Sequence, residues 1–277
     1  MNKIKSFAVI GGDKRQIYCG RSMQEDGFEV MFCGFDKCRE EFSLELHELS
    51  ELTERCDALI LPLPCTRDGV NISSPLSEYT LPLSDIAVNK PVFCGMKERL
   101  PFAGENIYDY SKTAGFAAEN AVPTAEGAIE LAMREYEGTL NGSDCLVAGS
   151  GRIARVLCSM LKGIGARVTA AARNADERVL FRAEGMRAVG TADISGRYDI
   201  IFNTVPVMLF GRDTLERLEG LPLIIDLASA PFGVDTEAAQ ALGLRALRAL
   251  SLPGRAAPKK AGIIIKNAVY QLLGEEL

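Results

Sequence analysis

The residues with the plainest chemical purpose in this chain are Gly149, Ser150, Gly151, Arg152, Ile153 and Ala154. They spell G-x-G-x-x-A directly after an apolar run, Cys145 to Ala148, and at the start of a helix-patterned segment, Arg152 to Ile164. Between a strand and a helix this spacing binds a dinucleotide. The first glycine makes the tight turn, the second lets the backbone approach a pyrophosphate at the helix N-terminus, and the small third residue allows close helix-sheet packing. Arg173 stands at the end of the next apolar run, Arg167 to Ala172, where NAD-binding chains carry an acid for the ribose hydroxyl roughly 20 residues on. An arginine there suits a 2′-phosphate by charge and paired hydrogen bonds, which favours NADP over NAD; it also reads as a solvated strand end. Asn203, Thr204, Val205 and Pro206 follow one later apolar run, and Asp226 with Ala228 follows another. Both turns lie at carboxyl ends of strands, where a nicotinamide ring is lined, although Asn203 and Asp226 equally read as caps.

Several other chemistries are poorly supplied. His47 is the one histidine of the chain and lies in an acidic, helix-favouring stretch, EEFSLELHELSELTE, which reads as structural. Without a second imidazole, Cys65 and Cys94 lack an activator, and the eight cysteines never form a C-x-x-C pair; buried apolar roles and no metal site are expected. The net charge of −6 leaves no basic footprint for nucleic acid. It is unevenly spread: residues 1–138 hold 14 basic and 23 acidic side chains, net −9, and residues 139–277 hold 17 and 14, net +3. A polyanionic ligand should prefer the second half. No apolar run is long enough to span a bilayer and the N-terminus turns polar too early for a signal peptide, so a cytoplasmic location and no membrane partner are expected.

The elements that must position these groups alternate. Ser6 to Ile10, Phe28 to Cys33, Asp57 to Leu61, Pro91 to Gly95 and Asn106 to Tyr110 read as strands, with a helix over Lys14 to Asp26 and a long loop through PLPCTRDGVNISSPLS. Thr124 precedes an apolar-periodic segment inside 119–136, which reads as a connecting helix. Beyond Gly142 come further strands at 145–148, 167–172, 199–203, 223–226 and 244–247, with a helix over Ala175 to Glu184. The expectation is α/β with two Rossmann-like domains: a substrate and closure domain over 1–120, a connecting helix over 121–138, and a doubly wound, parallel-sheet NAD(P)-binding domain over 139–256. An amphipathic C-terminal helix over 257–277 would cross back to the first domain.

Six segments in order resemble the family formed by the A subunit of dipicolinate synthase, a two-domain, nicotinamide-dependent dehydrogenase-like family. They are GGDKRQ at 11–16, PLPCTRDGVNI at 62–72, GSGRIAR at 149–155, NTVP at 203–206, DLASAPFGVD at 226–235 and LPGRAAPKKAG at 252–262. The resemblance covers nearly the whole chain. It implies an oxidoreductase that forms pyridine-2,6-dicarboxylate from 4-hydroxytetrahydrodipicolinate, a lysine-pathway intermediate, by dehydration and NADP-linked oxidation. It further implies work beside the flavoprotein-like B subunit of dipicolinate synthase, in the mother cell of a sporulating bacterium.

A substrate with two carboxylates needs cations and hydrogen-bond donors. The candidates are Arg15 in the first turn, Thr66 and Arg67 in the long loop, and Lys259 or Lys260 at the start of the C-terminal helix. Arg15 also reads as an ion pair with Asp13. For the proton that leaves, Asp68, Glu119 and Lys259 are the candidates. Three alternatives stay open. A 2-hydroxyacid dehydrogenase would need a histidine late in the nucleotide domain, and a shikimate-type enzyme a lysine-aspartate pair that residues 60–110 do not supply. The third is a non-catalytic NADP-binding subunit that supports a flavoprotein B subunit. On any of these readings a homo-oligomer stays open, and no sequence feature identifies an interface patch.

Overall fold

Short apolar strands alternating with amphipathic helices build two parallel sheets. The computed structural model describes residues 4–86 and 89–274. The chain divides into two compact units, one made of the described parts of Met1–Asn120 and Ala257–Leu277, the other of Ala121–Ala256.

In the first unit, β1 (Ser6–Ile10), β2 (Glu29–Cys33), β3 (Ala58–Ile60), β4 (Val92–Cys94) and β5 (Ile107–Asp109) lie in the order β2-β1-β3-β4-β5, every pair parallel. The order reverses between β1 and β3, so the turn after β1 and the long loop after β3 share a crevice at the carboxyl edge. Helices α1 (Lys14–Glu25) and α2 (Leu49–Arg55) join β1 to β2 and β2 to β3, α3 (Ala114–Glu119) follows β5, and the C-terminal helix, Pro258–Leu273, packs on α1. Both faces of the sheet are covered, by Ile17, Met23, Ile264 and Tyr270 on one side and by Leu52, Ile72 and Leu83 on the other. That double cover explains why these strands read as unbroken apolar runs. The two helices cross tightly at Gly262, where a Cβ would stand 2.5 Å from the Arg15 carbonyl oxygen and 2.8 Å from the Cys19 nitrogen. Lys266 closes the crossing from its buried position, 2.7 Å from Asp26, which also accepts from the Tyr270 hydroxyl at 3.0 Å.

The second unit opens with α4 (Ala121–Glu135), followed by β6 (Asp144–Ala148), α5 (Arg152–Ile164), β7 (Arg167–Ala171), α6 (Ala175–Ala183), β8 (Arg187–Val189), β9 (Gly196–Arg197) and β10 (Ile200–Asn203). Then come α7 (Arg212–Leu215), β11 (Leu218–Glu219), β12 (Leu223–Asp226), α8 (Thr236–Ala241), β13 (Arg245–Arg248) and α9 (Leu252–Ala256). Six strands form one sheet in the order β13-β12-β10-β6-β7-β8, all parallel, with β9 and β11 paired apart from it. This is the doubly wound order, with its reversal between β6 and β10. Ala154, Leu157, Cys158 and Leu161 of α5 are fully buried at helical spacing against that sheet.

The segment read as a connecting helix over 121–138 is helical as α4 from Ala121 to Glu135, with Thr124 buried inside it, in a chain already turning through α3, and α4 packs on α5 and α9 of the second unit. Two local details differ from the sequence reading. The acidic stretch around His47 is helical from Leu49 only. Leu44 is buried between exposed Ser43 and Glu45, and Leu46 bridges to Phe32 in parallel, so pairing with a neighbouring strand overrides helix propensity here. Strand β8 escapes the sequence because it sits at the sheet edge, so Arg187–Val189 shows no buried apolar run.

Candidate functional site

Strand β6 delivers the chain into Gly149 at φ +121°, a conformation that L side chains rarely adopt. Its N–H donates to the Ala171 carbonyl at 2.8 Å, and a Cβ here would collide with the Thr204 hydroxyl and stand 3.3 Å from Val205 Cγ2. Gly151 is different. It is exposed and extended (φ −76°, ψ −175°), it precedes α5 without any side-chain cap, and nothing lies within 4 Å of where a Cβ would point. The first N–H groups of a 13-residue helix therefore open onto free space, as a pyrophosphate requires. Ser150 and Ile153 are half-buried beside the turn, and Arg152 is exposed on it.

Two loops border this turn. Thr204 donates its hydroxyl to the Ala148 carbonyl at 2.9 Å, which ties the loop after β10 to the end of β6. Asn203 and Asp226 are both buried. Asn203 Nδ2 donates to Asp226 Oδ1 at 2.8 Å and to the Val205 carbonyl at 3.1 Å, while its Oδ1 accepts from the Val205 N–H. Asp226 also accepts from the backbone N–H groups of Ala228, Gly233 and Val234 at 3.1 to 3.2 Å. The two side chains are thus spent on each other and on backbone; what they present outward is the shape of the Thr204–Pro206 and Ala228 loops. Arg173 is exposed just beyond β7 and makes no side-chain hydrogen bond or ion pair among the described residues.

In the first unit the same strand-turn-helix element is built to the opposite effect. Asp13 caps α1 by accepting from the Arg15 N–H, and Gln16 Oε1 returns to the Asp13 N–H at 3.1 Å, a capping box. A Cβ on Gly12 would meet the Gln16 side chain at 2.6 Å. This helix N-terminus is closed by a carboxylate and an amide and offers no room to a pyrophosphate. Arg15 is buried and lays its fork on Asp13, with Nε and Nη2 both at 2.9 Å, while Nη2 also donates to the Leu63 carbonyl at 2.8 Å. The ion pair and the loop contact occur together, and Nη1 keeps no partner among the described residues.

The long loop carries the other candidates. Thr66 is buried, accepting from the Gly69 N–H at 2.9 Å and donating to Asp68. Asp68 accepts from the Asn71 and Val70 N–H groups and the Asn71 amide, and these bonds hold its carboxyl far below the usual carboxylate range. So engaged, Asp68 shapes its own turn and is a poor proton acceptor. Arg67 is exposed and without a partner among the described residues. Lys260 pairs with Glu119 at 3.3 Å; Lys259 beside it is exposed and unpaired among the described residues, one turn before the Gly262 crossing with Arg15.

Gln16 was missed by sequence reasoning. It is fully buried, and its Nε2 is a buried side-chain nitrogen with no partner among the described residues. The signal was present in the D-x-x-Q spacing at 13–16. All eight cysteines are free and buried; contact with Cys65 and burial push the Cys94 thiol up. Among the described residues no cluster of three or more His, Cys, Asp or Glu side chains is arranged for a metal ion, and no helix is long and apolar enough to cross a membrane.

Likeness to known proteins follows the same lines. Residues 6–100 match the family described as the N-terminal domain of the dipicolinate synthase A subunit. The chain is 31% identical to the A subunit of dipicolinate synthase from Bacillus subtilis, over 97% of this chain and 96% of that one. The chain belongs to the dipicolinate synthase A-subunit family. The crystal structure of the Bacillus subtilis protein superposes with a TM-score of 0.82 at 28% identity, covering 99% of this chain and 97% of that one. The family's Bacillus halodurans structure gives 0.83 at 25% identity, with 98% of each chain covered. Salmonella D-lactate dehydrogenase, 15% identical with 98% of each chain covered, shares the two-domain dehydrogenase-like fold alone, at a TM-score of 0.61. The two Rossmann-like parallel sheets expected from the sequence are those of this family.

Proposed function

We propose that this chain is an NADP-linked oxidoreductase that forms pyridine-2,6-dicarboxylate from 4-hydroxytetrahydrodipicolinate. The observation that carries the reading is the uncapped N-terminus of α5, open over Gly151 at the end of β6. Gly149 to Ile153 would hold the pyrophosphate, Arg173 the 2′-phosphate, and Thr204 to Pro206 with Ala228 would line the ring, in loops held by Asn203 and Asp226. The nicotinamide supplies a hydride acceptor when bound.

The balance is simple. Loss of the 4-hydroxyl as water leaves a dihydropyridine dicarboxylate; loss of one hydride and one proton from that ring makes it aromatic. This chain's residues bind and orient the two carboxylates. Arg15 Nη1 and Arg67 are the free donors in the turn and loop that follow β1 and β3 of the first sheet, buried Thr66 shapes the loop that carries Arg67, and Lys259 and Lys260 stand one turn or less from the helix crossing at Arg15. Glu119 and Lys259 remain the proton acceptors, Asp68 being committed to its turn.

By its family, the chain acts with the flavoprotein-like B subunit of dipicolinate synthase, in the cytoplasm of the mother cell of a sporulating bacterium. The test uses the purified chain alone, with freshly generated 4-hydroxytetrahydrodipicolinate and NADP as the sole oxidant. One NADPH per pyridine dicarboxylate is expected, with NAD a poorer oxidant. Product that forms only after the flavoprotein is added, and that survives G151A, would overturn the catalytic reading in favour of a supporting NADP-binding role.

A further inference from the structure

Position 178 carries a guanidinium that the dinucleotide motif does not account for. Arg178 sits in the first turns of α6, half-buried, and its Nη1 donates to two consecutive backbone carbonyls, Ala172 at 2.9 Å and Arg173 at 2.7 Å. Those carbonyls are the last of the β7 end; Ala172 is still bound to the sheet through its N–H to the Val189 carbonyl at 3.1 Å. One nitrogen of the fork therefore fixes the backbone on which Arg173 stands, and Nε and Nη2 have no partner among the described residues. A guanidinium offers five N–H donors in a rigid fork, so using one nitrogen on backbone leaves a planar edge for an anion.

The surrounding charges agree. Glu177, which could neutralise it, is paired with Arg155 instead. Asp176 is the remaining acid of the first turn, set against Arg152, Arg173 and Arg178, none of which has an ion-pair partner among the described residues. The carboxyl end of the second strand in a doubly wound sheet is where the adenosine ribose lies. We infer that Arg178 is a second determinant of the 2′-phosphate, acting by positioning Arg173 through its backbone and by presenting its own free edge to the same phosphate. The inference rests on the NADP reading above. It adds that Arg173 by itself, on an unbraced strand end, would discriminate poorly.

The test separates the two. Adenosine 2′,5′-bisphosphate and adenosine 5′-monophosphate are titrated by calorimetry into the full-length protein and into R173A, R178Q and R178K. The wild type should prefer the bisphosphate, and R178Q should lose at least about tenfold of that preference, the scale of one charged hydrogen bond, with monophosphate affinity changed by less than about threefold. R178K keeps the charge and one carbonyl contact, and should lose several-fold. A wild type without preference would refute the NADP reading itself. If the wild type prefers the bisphosphate, R173A abolishes the preference and both Arg178 variants keep it, the Arg178 inference alone falls. Equal loss of both ligands in R178Q and R178K would also overturn it, since that is what a purely structural brace predicts.

Discussion

Gly149 and Gly151 belong to one motif, and alanine at each should fail in opposite ways. At Gly149 the backbone has φ +121°, which costs an alanine about 1–3 kcal/mol. The new Cβ would also displace the Thr204 hydroxyl from its 2.9 Å bond to Ala148, worth about 1 kcal/mol. G149A should therefore lose about 2–4 kcal/mol of stability. At Gly151 the conformation is one that any residue adopts and the Cβ meets nothing within 4 Å, so G151A should be as stable as the wild type or gain about 0.4–1 kcal/mol from a less flexible unfolded chain. Its methyl, however, occupies the space above the open end of α5. Losing one charged hydrogen bond to the pyrophosphate weakens cofactor binding about tenfold to a hundredfold. The chain has no tryptophan, so unfolding in urea is followed by circular dichroism and NADPH binding by the nicotinamide's own fluorescence. G151A that binds NADPH like the wild type would refute the placement of the pyrophosphate; G149A with unchanged stability would refute the strain argument.

Three further outcomes follow from the same geometry. D226A orphans the backbone N–H groups of Ala228, Gly233 and Val234 and should cost at least about 3 kcal/mol in urea unfolding, at about 1 kcal/mol or more per buried group; a loss under about 1 kcal/mol would sink the loop-organising role. D13N keeps an equally good cap for α1 but sets an amide N–H against the buried Arg15 fork and removes its counter-charge, so the melting temperature should fall and the KM for the dicarboxylate should rise several-fold, and an unaltered KM would count against Arg15 as a carboxylate ligand. Burial raises the Cys19 and Cys158 thiols from an ordinary 9.0 to about 12, which favours the protonated folded form; the stability this confers is whole below pH 9 and is lost as pH rises from 9 towards 12. Native protein near pH ~8, below the ordinary thiol range, should thus resist iodoacetamide at both positions until urea unfolds it, and fast native labelling would contradict their burial.

Much of this was legible beforehand because it rests on strong local signals. The strand-turn-helix around Gly149 combines a buried run, two glycines and a helix with Ala154, Leu157 and Leu161 on one face, so pattern and packing agree. What escaped was decided by partners distant in sequence. Neither Arg178 on the Ala172 and Arg173 carbonyls nor Lys266 on Asp26 has a local signature. Asn203 and Asp226 looked equally like ligands and caps because that choice depends on a bond across 23 residues of sequence. The edge strand β8 and the Leu46–Phe32 bridge were hidden for a related reason: their pairing is set by neighbouring strands more than by their own composition.

The charge asymmetry looks different once the hydrogen bonds are placed. A net charge of −9 over residues 1–138 seems unsuited to a dicarboxylate, yet several of those acids are already engaged: Asp13 on Arg15 and the α1 cap, Asp26 on Lys266, Asp57 on the backbone of Lys5 and Ser6, Asp68 on its own turn. Directional donors, not net charge, decide whether a carboxylate is held at close range, because screening removes the field of exposed charges beyond roughly 8–10 Å. In the first unit the helix dipole is closed off by Asp13 and Gln16, and the free donors are side-chain N–H groups of Arg15 and Arg67. In the second the side chains Asn203 and Asp226 are spent and the open donors are backbone N–H groups at the start of α5. One strand-turn-helix plan thus leaves a side-chain N–H, Arg15 Nη1, for a carboxylate in one unit and a concave nest of backbone N–H groups suited to a phosphate in the other, and an aspartate at the helix start is what divides them.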